Sequence, residues 1–178
     1  MTDITNNVNV EGVNATVRKL KSDTNARFVK QKLSGEWNLN DSSKPQFTSI
    51  LKIERGGEYK LLADQPTHQG GNGLAPGPIP YCLYGIAGCF AASLATIAAL
   101  ENTKLSKLKV DITADMNMSR VFGLSEEPIM DKVTLLVELG MENGTNSEAL
   151  QRLVSLAEQR CPAAYTLTHG TKLEVQLV

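Results

Sequence analysis

Several things are scarce in this 178-residue chain, and each scarcity closes off a class of function. There is no excess charge. Lys and Arg number 18 against 19 Asp and Glu, a net of −1, so nothing argues for nucleic acid or an anionic membrane as partner. Cysteines are few and odd in number, three in all, which argues against a secreted disulfide framework. The opening MTDITNNVNVEGVN has neither a basic stretch nor an apolar one, so no signal peptide is expected. The sequons at Asn14, Asn40, Asn117 and Asn143 then read as chance matches. The expectation is a cytoplasmic protein whose thiols stay reduced until something oxidises them.

Metal and nucleotide patterns are also missing. No Cys-x-x-Cys or His-x-x-x-His occurs, and the only histidines are His68 and His169, each in a loop. A zinc site from Cys82, Cys89 and a histidine therefore has little support, and neither metal nor cofactor is expected. A thiol hydrolase pairing Cys89 with His68 stays as an alternative. The glycines before residue 76 read GGNG and lead into proline. That spacing is neither G-x-G-x-x-G nor a P-loop, and proline removes donors that would hold phosphate.

What the chain does have is an uncharged run from Pro76 to Leu100, PGPIPYCLYGIAGCFAASLATIAAL, with two of the three cysteines in it. Pro80 suits the first turn of a helix, and a helix apolar all round is expected to be buried. Along it Cys82 and Cys89 lie about 10 Å apart on nearly one face. They are too far apart to bond to each other, since a disulfide needs Cα atoms within about 7 Å. Any bridge within the chain must use Cys161. The run is long enough to span a membrane, but it is rich in Gly and Ala, stands alone and is flanked by alternating strands.

The rest of the chain predicts α+β organisation. Residues 1–14 read as a polar arm, followed by one domain over 15–178, with a short strand in 15–20. Alternation of Val29, Leu33, Trp37 and Leu39 with polar residues predicts a half-buried strand over 27–39. Strands at 47–54 and 58–64 flank Gly56-Gly57, a tight hairpin. The stretch 15–75 is thus an antiparallel meander with a Gly/Pro loop. After the central helix, alternation predicts strands at 108–114 and 133–139. Thr145-x-x-Glu148 reads as a capping box before an amphipathic helix carrying Leu150, Leu153, Val154 and Ala157. Leu173, Val175 and Leu177 predict a last strand, so that 76–178 reads helix, then β-β-α-β. So small a chain cannot cover an all-apolar helix alone, and an obligate homodimer is expected.

Cys161 lies between Arg160 and Pro162. Proline suits the first position of a new turn, so Cys161 is placed to cap a helical restart. There backbone N–H groups and a nearby Arg favour thiolate.

Taken together, ADQPTHQGGNGLAPGPIPYCLYGIAGCFAASLA and Arg160-Cys161-Pro162 resemble the OsmC/Ohr superfamily. The stretch SRVFGLSEEPIMDKV resembles the corresponding connection in a less characterised OsmC-like branch. The resemblance covers residues 15–178 and implies an intertwined homodimer with active sites at the interface. It implies thiol-dependent peroxidase activity on organic hydroperoxides. Cys89 would attack the peroxide and Cys161 would resolve the sulfenic acid as a disulfide, reopened by a dithiol reductant, in some members a lipoylated protein. Such chemistry asks for a lowered Cys pKa, a steadying cation and an apolar pocket. Arg27 and Arg55 are the candidate cations. Tyr84, Ile86 and Phe90 are candidate pocket residues, with Cys82 and His68 nearby in sequence. The organic-hydroperoxide branch carries Glu just after a Pro, ten residues before its reactive Cys. Here that position is Ile79, which leaves the alternative of a non-peroxidase binding or thiol-sensing protein with a small apolar ligand at the dimer interface.

Overall fold

The first residues are folded rather than loose. In the computed structural model, which describes residues 3–144 and 146–177, Asn6 and Asn7 take φ of 53° and 61°. Asparagine tolerates this left-handed region better than other non-glycine residues. Two such residues in a row close a hairpin between β1 (Ile4–Thr5) and β2 (Val8–Asn9). The Asn9 side chain then accepts from Gly12 N at 3.0 Å and starts α1 (Val10–Ser22). The polar arm and the strand at 15–20 are thus corrected to hairpin and helix. Val10, Val13, Val17 and Leu20 recur every three or four residues, a helical period. Asn6 also donates through Nδ2 to the Thr103 carbonyl and accepts the Leu105 N–H through Oδ1, both at 2.8 Å.

Two compact units emerge, Met1–Val17 with Gly85–Val178, and Arg18–Tyr84. The second holds a three-stranded antiparallel meander of β3 (Gly35–Trp37), β4 (Phe47–Lys52) and β5 (Glu58–Ala63). Gly56 and Gly57, at φ 90° and 97°, turn the β4–β5 hairpin as the sequence predicts. The long strand over 27–39 is not formed. Asn25–Arg27 is a 3₁₀ turn, and only Gly35–Trp37 finds a ladder partner, opposite Ser49–Phe47. Without backbone pairing the alternation has no sheet to lie on, and Phe28, Val29, Leu33 and Leu39 are exposed.

The Gly/Pro loop is tied together by Asp64, a buried carboxylate (1% exposed). It accepts the Leu74 N–H at 2.9 Å and the Asn72 N–H at 3.5 Å, while its own N–H donates to the Pro76 carbonyl at 3.2 Å. At Gly71 a Cβ would fall 1.8 Å from the Gln65 carbonyl oxygen, so the crossing admits only glycine. The chain leaves this loop into α2 (Pro78–Leu100). Pro78 and Pro80 both sit in the first turn, where a missing N–H breaks no helical bond. The Tyr81 hydroxyl donates to the Leu62 carbonyl at 2.8 Å and holds that turn to β5.

From Gly85 onward α2 belongs to the first unit. Phe90, Leu94, Ile97 and Ala98 pack there with Leu153, Ala157, Cys161 and Ala164. The expectation of a helix buried on every side is corrected. Its buried residues are Phe90, Leu94, Ile97, Ala98 and Ala99, all in the C-terminal half, whereas Tyr84 is 78% exposed. Antiparallel β6 (Leu105–Met116) and β7 (Met130–Met141) cover the core with one face. The half-buried Leu108, Val110 and Ile112 alternate with exposed residues, as a one-sided sheet requires.

Next come α3 (Ser147–Arg160) and α4 (Pro162–Thr168). Asn146 caps α3, accepting from Glu148 and Ala149 N–H, whereas Thr145, placed there by the sequence pattern, lies outside the described residues. The expected last strand is absent. Residues 169–177 have no regular structure, with Leu173, Val175 and Leu177 at 85–103% exposure.

Candidate active site

Two elements far apart in sequence meet at their sulfurs. Cys89 precedes the buried Phe90 on α2 and so stands at the edge of the packed face, half-buried. Cys161 is the single non-helical residue between α3 and α4, at φ −71° and ψ 120°. Its N–H closes α3 on the Ala157 carbonyl at 2.8 Å, and its carbonyl opens α4 by accepting from Tyr165 at 2.9 Å. Its sulfur accepts the Ala164 N–H at 3.5 Å, the cap that the Cys-Pro pair predicts. Cys161 is fully buried, and its Sγ lies 3.5 Å from that of Cys89, 72 positions away. Both are free thiols. A disulfide is about 2 Å long, so the pair is one short movement from bonding.

Burial pushes the Cys89 thiol above its ordinary pKa, because a thiolate loses hydration there. The Ala163 N–H works against this, while the Cys161 thiol adds to the rise. No Lys or Arg among the described residues enters that balance.

The same unit holds a cleft of about 610 Å³ lined by Ile86, Phe90, Met130, Leu135, Val154 and Leu167, among others, with neither cysteine on its wall. Asp131, Lys132 and Glu158 contribute charged groups to its wall. Ala164, whose N–H reaches the Cys161 sulfur, is also on the wall. An apolar cleft with a few polar groups is the usual form of a small-molecule site.

Ile86 and Phe90, named from the sequence, are thus at the cleft. Cys82, Tyr84 and His68, also named as pocket residues, are exposed. Arg27 ends a 3₁₀ turn and donates through Nε to the Leu20 carbonyl at 2.9 Å. Arg55 is exposed in the β4–β5 turn. Among the described residues no three His, Cys, Asp or Glu converge as metal ligands. Sequence reading missed the Ala163 N–H aimed at Cys89 and the part Asp64 plays in the loop. An acid followed by Gly and Pro at close spacing was the available signal for the latter.

Comparison with known proteins bears on the family and the fold. The family described as OsmC-like protein matches residues 70–176. Among solved structures, an OsmC-like protein from Mycoplasma pneumoniae is 21% identical, with 80% of this chain and 91% of that one covered, at a TM-score of 0.57. An OsmC-like protein of unknown function from Vibrio cholerae is 14% identical, covering 78% and 94%, also at 0.57. An organic hydroperoxide resistance protein OsmC from Legionella pneumophila is 17% identical, covering 80% and 93%, at 0.54. At such identities the likeness is one of fold. No curated protein sequence matches.

Proposed function

The chain belongs to the OsmC-like protein family, and on that premise we propose that it is a thiol-dependent peroxidase reducing organic hydroperoxides. Cys89 attacks and Cys161 resolves. One observation carries this reading: two sulfurs 72 residues apart lie 3.5 Å from each other, and their neighbours Phe90 and Ala164 line a largely apolar cleft. The thiolate of Cys89 displaces alcohol from the hydroperoxide and becomes a sulfenic acid. Cys161 then attacks that sulfur, water leaves, and a dithiol reductant reopens the disulfide.

Burial holds Cys89 toward the thiol, so the reaction needs a cation to steady its charge. Arg27 and Arg55 are the candidates. A homodimer belongs to the same proposal. It is supported by Tyr84 on the first half of α2, 78% exposed, which a second copy would cover. So does a cytoplasmic location, where reductant is at hand.

The test is to add one equivalent of cumene hydroperoxide to reduced protein and map the thiols by mass spectrometry. A Cys89–Cys161 disulfide is expected, and turnover should vanish in Cys89→Ser. Free thiols after treatment, or undiminished turnover in that variant, would refute the proposal. Ile79 in place of the family's Glu and the raised pKa of Cys89 favour a second reading, a non-peroxidase binding or thiol-sensing protein. Ligand-dependent thermal shifts without hydroperoxide turnover would select it.

A further inference from the structure

Cys161 has two roles in the fold. It is the joint between α3 and α4, and its sulfur accepts the Ala164 N–H of the first turn of α4. The adjacent Ala163 N–H favours the Cys89 thiolate. The first turn of α4 is thus tied to the pair through the Ala164 N–H, while Ala164, Leu167 and Thr168 form part of the cleft wall.

We propose that closing the Cys89–Cys161 disulfide uncaps and displaces α4, so that the oxidation state of the pair sets the shape of the cleft. This rests on the pairing proposed above. In the step itself a hydroperoxide ROOH converts the Cys89 thiol to sulfenic acid and leaves as the alcohol ROH. The Cys161 thiol then forms the S–S bond and the sulfenic oxygen departs as water. The sulfurs must close from 3.5 Å to about 2 Å.

The movement falls on the element least held. α2 runs 23 residues with five of them buried, and α3 is anchored by Leu153 and Ala157. α4 has seven residues with only Ala164 buried, and its Tyr165 and Leu167 are 53% and 54% exposed. Its pivot is Cys161, the one non-helical residue of the joint. As the pivot turns, the Ala164 N–H loses its sulfur acceptor. Packed cores pass between discrete arrangements rather than yielding smoothly, so the wall moves with the helix.

Hydrogen exchange read by mass spectrometry tests this on the whole chain in a Cys82→Ser background. Protein reduced with dithiothreitol is compared with protein oxidised by diamide, whose N=N bond takes up the two thiol hydrogens. Peptide mapping first establishes the disulfide. The amides of 164–168 should then exchange about tenfold faster in the oxidised form, with those of 90–100 little changed. Adding Cys89→Ser should abolish the response. Equal exchange at 164–168 in reduced and proven-disulfide protein overturns the proposal while leaving the pairing intact. Failure of both diamide and hydroperoxide to join the two cysteines overturns the pairing and this proposal with it. Cys161→Ser keeps a capping oxygen but cannot form the bond, so slow exchange under oxidant is expected; fast exchange there overturns the link to the disulfide.

Discussion

Replacing Cys161 with alanine separates its structural role from its redox role. The side chain is fully buried among Phe90, Leu94, Leu153, Ala157 and Ala164, and its sulfur caps α4 through the Ala164 N–H. Losing a cap costs about 1 kcal/mol. Removing one buried heavy atom from a packed site adds about 1 kcal/mol through lost contacts and an unfilled space. The sum, about 2 kcal/mol, corresponds to a fall in Tm of about 4–8 °C for a domain of this size. Calorimetry on fully reduced protein measures it, since no disulfide then contributes. A parallel experiment adds hydroperoxide and the sulfenic-acid reagent dimedone. Without Cys161 the oxidised Cys89 has no resolving partner, so labelling should rise from a trace to near one equivalent. A reduced-state Tm unchanged within about 1 °C would refute the capping argument. Labelling equal to wild type would refute the resolving role.

Other outcomes follow from the same geometry. In a Cys82→Ser background, Cys89 alkylation by iodoacetamide should level off below pH 7 if the proposed cation steadies its thiolate; burial acting alone raises its pKa and would give a rise of about tenfold per pH unit through neutrality and beyond pH 8.5. A plateau below pH 7 would show that a cation reaches it. In that case Arg27→Ala and Arg55→Ala identify the source by which of them moves the plateau upward. Gly71→Ala forces a methyl into the Gln65 carbonyl and should lower stability by about 2–4 kcal/mol in urea melts; wild-type stability would refute the close crossing. Tyr84→Glu puts charge on the first half of α2 and should convert a dimer to monomer in analytical ultracentrifugation. An unchanged sedimentation coefficient would remove that face from the interface.

Local chemistry made much of the fold readable. Gly56-Gly57 announced the hairpin, alternation announced β6 and β7, and Cys161-Pro162 announced a capped restart. What could not be read was whatever depends on a neighbour. The alternation at 28–34 and 173–177 is that of strands, but a strand exists only where another backbone pairs with it. The uncharged run predicted the helix but not that its fully buried residues all lie in its C-terminal half. Asn6-Asn7 reads as part of a polar arm because the composition of such an arm and of a left-handed turn is the same. For the site, the residue types marked Cys89 and Cys161 separately. Their partnership came from the family resemblance, since nothing local relates positions 72 apart. The Ala163 N–H was invisible, because a backbone donor has no signature of its own.

The bridge from Asn6 to Thr103 and Leu105 imposes an order of events on folding. Its two hydrogen bonds join residues 97 and 99 positions apart, and closing a segment that long costs about 4 kcal/mol of chain entropy, more than the pair returns. The clasp therefore cannot lead; it locks only after the helices and long strands have drawn their ends together. During synthesis the Asn6 turn waits, unanchored, for a docking place made about a hundred residues later. On denaturation they should be among the first to detach.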